Sequence, residues 1–294
     1  MFPSRFRYEA PHSLDEAIGL LRDGGDYVKV LAGGQSLVPM MKLRFASPEL
    51  LVDINGIPGL SYVQAAPDGA LHVGALARHA DLEWSRLLAD TQPTMAAAAP
   101  LVADPLVRNR GTLVGSLCHA DPQGDWASVM LALGGSVVAQ GPSGRRTIPV
   151  RSFVTGPFEN VLEHDEIAVE AIVPAAAGRR AGGYLKLERR VGDFATCGVA
   201  VALELAGTGV VTRAGIALTG VGGSTIDAAD AWAALVGQPL DAGAIGRAAD
   251  AAAAIAQPRT DHRGSAAYKR HMVRTFTARL LGGCTTPASA ERAA

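Results

Sequence analysis

The chain has 294 residues, 48% of them hydrophobic and 19% charged, with a formal net charge of -1; that is enough for about two soluble domains. Lysine and arginine are scattered along it, which gives no electrostatic reason to expect a nucleic acid or an anionic membrane as partner. Its longest apolar stretches are broken by Gly, Pro or charge well short of the roughly 20 residues that span a bilayer, and its three dispersed cysteines exclude both a disulfide framework and an all-cysteine iron–sulfur cluster, which takes four thiolates.

Met1-Phe2-Pro3-Ser4-Arg5 leads straight into polar sequence with no apolar h-region, so the cytoplasm is the expected compartment. Ser13-Leu14-Asp15-Glu16 is a capping box, in which the Ser hydroxyl and the Glu carboxylate satisfy the first free amides of a helix. Leu14, Ala17, Ile18 and Leu21 then repeat on one helical face, and Gly24-Gly25 stops the helix. Residues 27–31 read as a buried strand, Ala32-Gly33-Gly34-Gln35-Ser36 as a Gly-rich turn, and 39–43 as a short helix with Pro39 in its first turn. A second strand covers 50–54. Segments 61–65 and 70–75 flank Pro67-Asp68-Gly69, a hairpin signal.

Helices over 79–89 and 94–102 lead to 108–116, which is glycine-punctuated and β-like. A helix over 125–133 follows, then a hairpin of 136–140 and 146–150 about Pro142-Ser143-Gly144, then a strand over 167–173. The small, irregular run 174–180 is the best boundary, dividing 1–176 from 180–284 and leaving 285–294 as a tail that frays. Beyond it come three strands (183–188, 198–205, 213–218) and then three helices (227–235, 242–255, 266–280). Strands first and helices afterwards is an α+β grammar. Strictly alternating βαβ units are missing from both halves, which disfavours a doubly wound nucleotide fold. The seven histidines show no HExxH spacing for a protein-built zinc site.

Two loops carry chemistry: Ala32-Gly33-Gly34-Gln35-Ser36-Leu37 and Thr112-Leu113-Val114-Gly115-Ser116. Glycine lets backbone amides approach a ligand oxygen, successive N–H groups form an anion-binding nest, and hydroxyls add donors. A dinucleotide pyrophosphate needs about this arrangement. Neither loop has a P-loop lysine or a strict GxGxxG, so a pair of tight structural turns is the competing account. Gly220-Val221-Gly222-Gly223-Ser224-Thr225 lies where a Rossmann fingerprint would, but Thr225 holds the third glycine position and no parallel βαβ context surrounds it; it reads as a structural turn.

At this point the residues carry a resemblance. Ala32 to Leu37 followed by Pro39-Met40-Met41-Lys42-Leu43-Arg44 resembles the AGGxSLxPxMKxR signature of the FAD subunits of molybdopterin-dependent dehydrogenases, a family that includes the medium subunit of aerobic carbon monoxide dehydrogenase and the central domain of xanthine dehydrogenase. Arg108-Asn109-Arg110-Gly111-Thr112-Leu113-Val114-Gly115-Ser116-Leu117-Cys118-His119-Ala120-Asp121-Pro122 resembles its RNxGTxGGSLAHADP segment. Tyr184-Leu185-Lys186-Leu187-Glu188-Arg189-Arg190 with Asp193-Phe194-Ala195 is similar to YxKxxRRxxDxA, and Asp261-His262-Arg263-Gly264-Ser265 with Tyr268-Lys269-Arg270 to a C-terminal DxRGSxxYRR element. The likeness covers nearly the whole chain, in order.

The resemblance implies a vanillyl-alcohol-oxidase-like (PCMH-type) FAD-binding domain of two α/β subdomains, followed by a C-terminal α+β domain with a three-stranded antiparallel sheet and helices. It implies that Ala32, Gly33, Gly34, Gln35 and Ser36, with Thr112, Leu113, Val114, Gly115 and Ser116, hold the pyrophosphate. Val30, Leu31, Leu37, Val102, Cys118 and Ile167 complete the cofactor-binding set. Asp125 binds the adenosine ribose, Lys186 reaches the flavin side and Phe194 lies by the isoalloxazine ring. One departure stands out: Val114 replaces the first glycine of the family's GG pair, and a β-branched residue resists φ > 0, so FAD is expected to be held more loosely there.

Other residues have plainer accounts. Flavin chemistry needs no protein nucleophile, so His119 and Asp121 are expected to be structural, Cys118 a small buried hydrophobe, and Met40-Met41 core filling. Lys186, in an apolar strand, needs a partner: an anionic cofactor or Glu188. Arg189-Arg190 suits either the phosphate of a nicotinamide acceptor or solvent. The family further implies a relay in which a large molybdopterin subunit oxidises the substrate, a small [2Fe–2S] subunit passes electrons on, and this chain's FAD delivers them to NAD, quinone, cytochrome or oxygen, within a dimer of heterotrimers. The alternatives are a free-standing FAD-dependent oxidase or reductase and a non-enzymatic nucleotide-binding protein. The substrate is not legible.

Overall fold

In the computed structural model, which describes residues 2–285, the chain opens with β1 (Arg7–Glu9), α1 (Leu14–Gly24), β2 (Val28–Leu31), α2 (Leu37–Lys42) and β3 (Leu50–Asp53). Half of the capping box forms as expected, the Ser13 hydroxyl accepting from the Glu16 N–H at 3.2 Å; the Glu16 carboxylate reaches one residue further, to the His12 N–H at 2.9 Å. Ala17, Ile18 and Leu21 then face Val28, Leu50 and Val52 in one small core. The three strands form a parallel sheet in the order β1-β3-β2. This corrects the expectation that βαβ units are missing. β1 spans three residues, all exposed, so it offers no apolar alternation to detect. α2 starts at Leu37, two residues before the expected position; of the Met40-Met41 pair expected to fill core, Met41 is buried and Met40 only half-buried.

Next come β4 (Val63–Ala65), β5 (Leu71–Gly74), α3 (His79–Glu83), α4 (Arg86–Thr91), α5 (Pro93–Ala98), α6 (Pro105–Arg108), α7 (Leu113–His119), α8 (Asp125–Ala132), β6 (Ser136–Gly141), β7 (Gly144–Pro149), α9 (Val150–Phe153), β8 (Val154–Gly156), β9 (Glu159–Asn160) and β10 (Ile167–Val173). The sheet β4-β5-β10-β6-β7 is antiparallel throughout. The expected helix over 79–89 is split in two, because Ser85 takes the N-cap of α4 and accepts from the Leu88 N–H. Where a β-like run over 108–116 was expected, α6 ends at Arg108, Asn109 and Arg110 turn, Thr112 is extended, and α7 begins at Leu113. Asp104 caps α6, with Pro105 in the first turn, and Thr112 caps α7; these caps outweigh the glycine punctuation.

The last third contains β11 (Arg179–Leu187), β12 (Cys197–Leu205), β13 (Val211–Thr219), β14 (Ile226–Asp227), α10 (Ala229–Ala233), α11 (Ala242–Ile255) and α12 (Ala266–Gly283). The sheet runs β11-β12-β13-β14, with three long antiparallel strands and a two-residue edge strand. Its two faces differ. Cys197, Val199, Val201, Leu203, Ile216 and Leu218 pack under α11 and α12. The opposite face carries Gly182, Gly198, Ala200, Ala202, Gly215 and Ala217, and lies against α5 and α8. A side chain on Gly215 would overlap the carbonyl oxygen of Ala132, so small residues let the helices approach the sheet closely. Gly220 to Thr225 is a turn between β13 and β14, and the Gly220 N–H is spent on the Pro122 carbonyl at 2.9 Å. The expected tail falls, beyond residue 285, outside the described residues.

Candidate cofactor site

The first loop leaves the end of β2 and enters α2. Gly34 has φ 72, a conformation that favours glycine, and its carbonyl accepts from the Val38 N–H at 3.0 Å as α2 begins. None of the amides from Gly33 to Ser36 donates to a protein acceptor among the described residues. The Gln35 side chain folds back onto the Gly33 carbonyl at 3.1 Å. Gln35 is exposed, while Val30, Leu31, Ala32, Gly34, Ser36 and Leu37 are half-buried. The result is a short run of unspent donors that is buried at Gly33 and reaches the surface at Gln35.

The second loop arrives beside it. A Cβ on Gly33 would overlap the Arg110 carbonyl and lie 2.8 Å from the Gly111 Cα, so the loops touch backbone to backbone where only glycine fits. Thr112 then caps α7, its Oγ1 accepting from the Gly115 N–H at 3.1 Å. Leu113 and Val114 form the first turn of α7, and their amides likewise meet no protein acceptor among the described residues. Val114 is helical and 2% exposed. No left-handed backbone is required of it, which overturns the expected obstacle: the position lies inside a right-handed helix. Gly115 and Ser116 remain half-buried. Beneath the loop, the backbone N–H of His79 donates to the Gly111 carbonyl at 2.9 Å, and its ring Nδ1 accepts from the Trp126 indole at 3.0 Å. Burial, with Arg108 and Arg78 nearby, pushes its imidazole down to about 4, so it is neutral at pH 7.

A third element flanks the loops. Val102 is buried and is followed by Ala103, whose φ is 50. The Val102 and Ala103 carbonyls accept from Arg108 at 3.2 and 2.9 Å, and Arg108 is paired with Glu83 at 2.7 Å. The Leu101 carbonyl accepts from the Lys186 ammonium at 2.8 Å. Lys186 also pairs with Asp125 at 3.1 Å and Glu188 at 3.3 Å, and its side chain is 1% exposed. Asp125 in turn accepts from the Tyr184 hydroxyl at 2.6 Å; burial pushes its carboxyl up against the pull of Lys186. Thus Asp125 and Lys186, expected to meet ribose and flavin, are committed to each other beneath the surface. Of the two partners weighed for Lys186, an anionic cofactor or Glu188, it is Glu188 that pairs with it, and Asp125 adds a second carboxylate.

The remaining expected residues divide. Phe194 is 51% exposed, on a loop whose Gly192 abuts Ala103 and Asp104. Arg263, from the C-terminal element, donates to the Phe194 carbonyl at 3.4 Å and to Gln123 at 3.1 Å. Ile167 is buried in the core that Val30 and Ala32 flank, so its side chain is packing. Burial pushes the Cys118 thiol up to about 12, in keeping with a hydrophobic role. His119 lies at the far end of α7 with its ring 5.2 Å from that of Phe158. Arg189 and Arg190 are exposed. Sequence reasoning missed Asn55 and Arg78, which link the two loops; no local pattern marks them, since each acts on backbone far away in the chain.

Residues 4–176 match the model of the FAD binding domain in molybdopterin dehydrogenase, and residues 183–283 that of the CO dehydrogenase flavoprotein C-terminal domain. The carbon monoxide dehydrogenase medium chain of Hydrogenophaga pseudoflava is 42% identical over 96% of this chain and 97% of its own length. The 6-hydroxypseudooxynicotine dehydrogenase complex subunit alpha of Paenarthrobacter nicotinovorans is 38% identical over 96% and 95%. Among solved structures, a carbon monoxide dehydrogenase from Hydrogenophaga pseudoflava superposes with a TM-score of 0.92 at 44% identity, covering 97% of this chain and 98% of that one.

Proposed function

From the premise that the chain belongs to the family of FAD-binding medium subunits of molybdopterin-dependent dehydrogenases, we propose that it is the electron-transferring link of a heteromeric complex, taking electrons from a [2Fe–2S] subunit and passing them to an external acceptor. It is an oxidoreductase subunit and its cofactor is FAD. When bound, FAD supplies the redox chemistry. The chain's own residues bind and orient it. The amides of Gly33, Gly34, Gln35 and Ser36, with those of Leu113 and Val114 at the start of α7, hold the pyrophosphate by backbone donation, as helix starts and amide nests do for anions. Val30, Leu31, Leu37, Val102, Thr112, Gly115, Ser116, Cys118 and Ile167 frame them. Asp125 and Lys186 support the site from behind, since Lys186 draws the Leu101 carbonyl inward just ahead of Val102. Phe194 stands exposed at the rim, available to a ring.

The observation that carries this reading is the meeting of the two glycine loops at Gly33 and Arg110 with their neighbouring amides unspent. The cluster belongs on another subunit. An all-cysteine cluster takes four thiolates, and the sequence carries three cysteines, far apart along the chain. Residues 1–176 then form the FAD-binding unit and 180–284 the C-terminal unit, in a cytoplasmic dimer of heterotrimers with a small [2Fe–2S] and a large molybdopterin subunit. NAD, quinone, cytochrome or oxygen accepts the electrons. Two relatives with chemically unrelated substrates in their names match this chain at 42% and 38% identity, which supports substrate choice on the large subunit. A free-standing oxidase would need a base over the flavin, and His119 lies at the wrong end of α7. The full chain purified alone should show flavin absorbance and no iron, and should oxidise no substrate of the relatives until its partners are added. Turnover by the lone chain would overturn the relay.

A further inference from the structure

Resting on the FAD reading, we infer that Asn55 and Arg78 are positioning residues that fasten the two glycine loops to each other and set the spacing of their amides. The loops lie some eighty residues apart in sequence, the first leaving strand β2 and the second joining α6 to α7. Loops whose amides lack protein partners have no register of their own, so something else must fix how they face one another. Arg78 does so from the N-cap of α3, where its own N–H is held by Asp81 at 2.7 Å and its backbone bridges Thr112. One arm of its guanidinium fork, Nη1, donates to the Arg110 carbonyl of the second loop at 2.7 Å; the other, Nη2, donates to Asn55 Oδ1 at 2.6 Å. Asn55 completes the tie by donating its Nδ2 to the Ala32 carbonyl of the first loop at 2.8 Å.

The tie is anchored. Asp53 accepts from both the backbone and the side-chain amide of Asn55, at 2.9 and 2.6 Å, and takes the Tyr8 hydroxyl on its other oxygen at 2.6 Å. The Arg110 carbonyl that Arg78 grips is the one on which Gly33 rests. Drawing the Ala32 carbonyl toward Asn55 turns the Gly33 N–H, in the same planar trans peptide, the opposite way and so fixes its orientation. Geometry, more than charge, is what the fork supplies: an arginine spans two acceptors at a fixed angle, and a lysine of equal charge does not.

The test uses the full-length chain, stripped of flavin, with FAD as probe. Arg78→Lys, Asn55→Ala and the double variant are titrated with FAD, and each flavin-free form is melted. Each single substitution should raise the Kd roughly 10- to 100-fold, as loss of a supporting hydrogen bond commonly does at bound groups. The double variant should be no more than about 3-fold weaker than the worse single, because both cut the same tie. The flavin-free melting temperatures should change little. Asn55→Ala removes the bond from Arg78 Nη2 and the bond to the Ala32 carbonyl without touching a charge, so it severs the first loop from the tie and carries the test should Arg78→Lys not fold. Wild-type affinity in Arg78→Lys, multiplying effects in the double variant, or lower melting temperatures with unchanged Kd would each overturn the tie. Failure of the unmodified chain to bind FAD would instead overturn the parent reading.

Discussion

Val114 stands where the family pattern carries glycine, and in an extended loop its β-branched side chain would obstruct the backbone. Its place in the first turn of α7, buried against the central core, reverses that expectation. The side chain helps dock the helix that presents the Leu113 and Val114 amides, so restoring glycine should harm the protein. Val114→Gly loses apolar burial and gains helix-breaking freedom, about 2 kcal/mol together, or roughly 4–8 °C in a chain of this size. Calorimetry reads the loss, and an FAD titration should show binding no tighter than before. Tighter binding would restore the view that this side chain loosens the loop. Lys186 teaches a similar lesson: the sequence shows that a buried cation in an apolar strand needs company, but not that Asp125, sixty-one residues earlier, joins Glu188 in providing it.

At the scale of elements, the C-terminal sheet is held by contrast between its faces. Large residues of β12 and β13 point to α11 and α12, and glycine and alanine point to α5 and α8. Gly215 is extended, so alanine there meets no backbone strain; the added methyl meets the Ala132 carbonyl instead. Gly215→Ala should therefore cost about 1–3 kcal/mol by overpacking, measured as a shift in denaturant midpoint. Gly207→Ala, where the methyl meets nothing within 4 Å, should be nearly neutral, and equal effects at the two sites would sink the packing argument. This alternation made β12 and β13 legible, because a period of two survives whatever packs on either face. The run 108–116 reads as extended from its glycines, whereas it holds the turn between two short helices started by Asp104-Pro105 and Thr112, both readable as helix caps. β1 and the β8–β9 hairpin are too short to leave a pattern. The glycine loops were visible as loops, but the Asn55–Arg78 tie that joins them is made of contacts between distant positions, which a single sequence does not encode locally.

For the whole molecule, the change of grammar near 174–180 marks a boundary in sequence that the packing does not respect. Tyr184, Ala200 and Ala217 of the C-terminal unit share one core with Met95, Trp126 and Met130. Polar contacts cross the same seam: Tyr184 to Asp125 at 2.6 Å, Thr219 to Ser128 at 2.7 Å, and Lys186 to the Leu101 carbonyl at 2.8 Å. β11 even begins at Arg179, inside the expected linker. Removing residues beyond 176 would uncover the sheet-facing sides of α5 and α8 and strip Asp125 of both Tyr184 and Lys186, leaving a carboxylate with neither of those partners in a partly apolar setting, which is costly. The fragment 1–176 should accordingly lack a cooperative thermal transition and fail to retain FAD, whereas the full chain should unfold in a single step seen alike by near-UV and far-UV circular dichroism. A fragment that melts cooperatively and keeps its flavin, or a full chain with two separated transitions, would mean that the shared core is a contact between two independent bodies and that the cofactor site needs nothing from the C-terminal sheet.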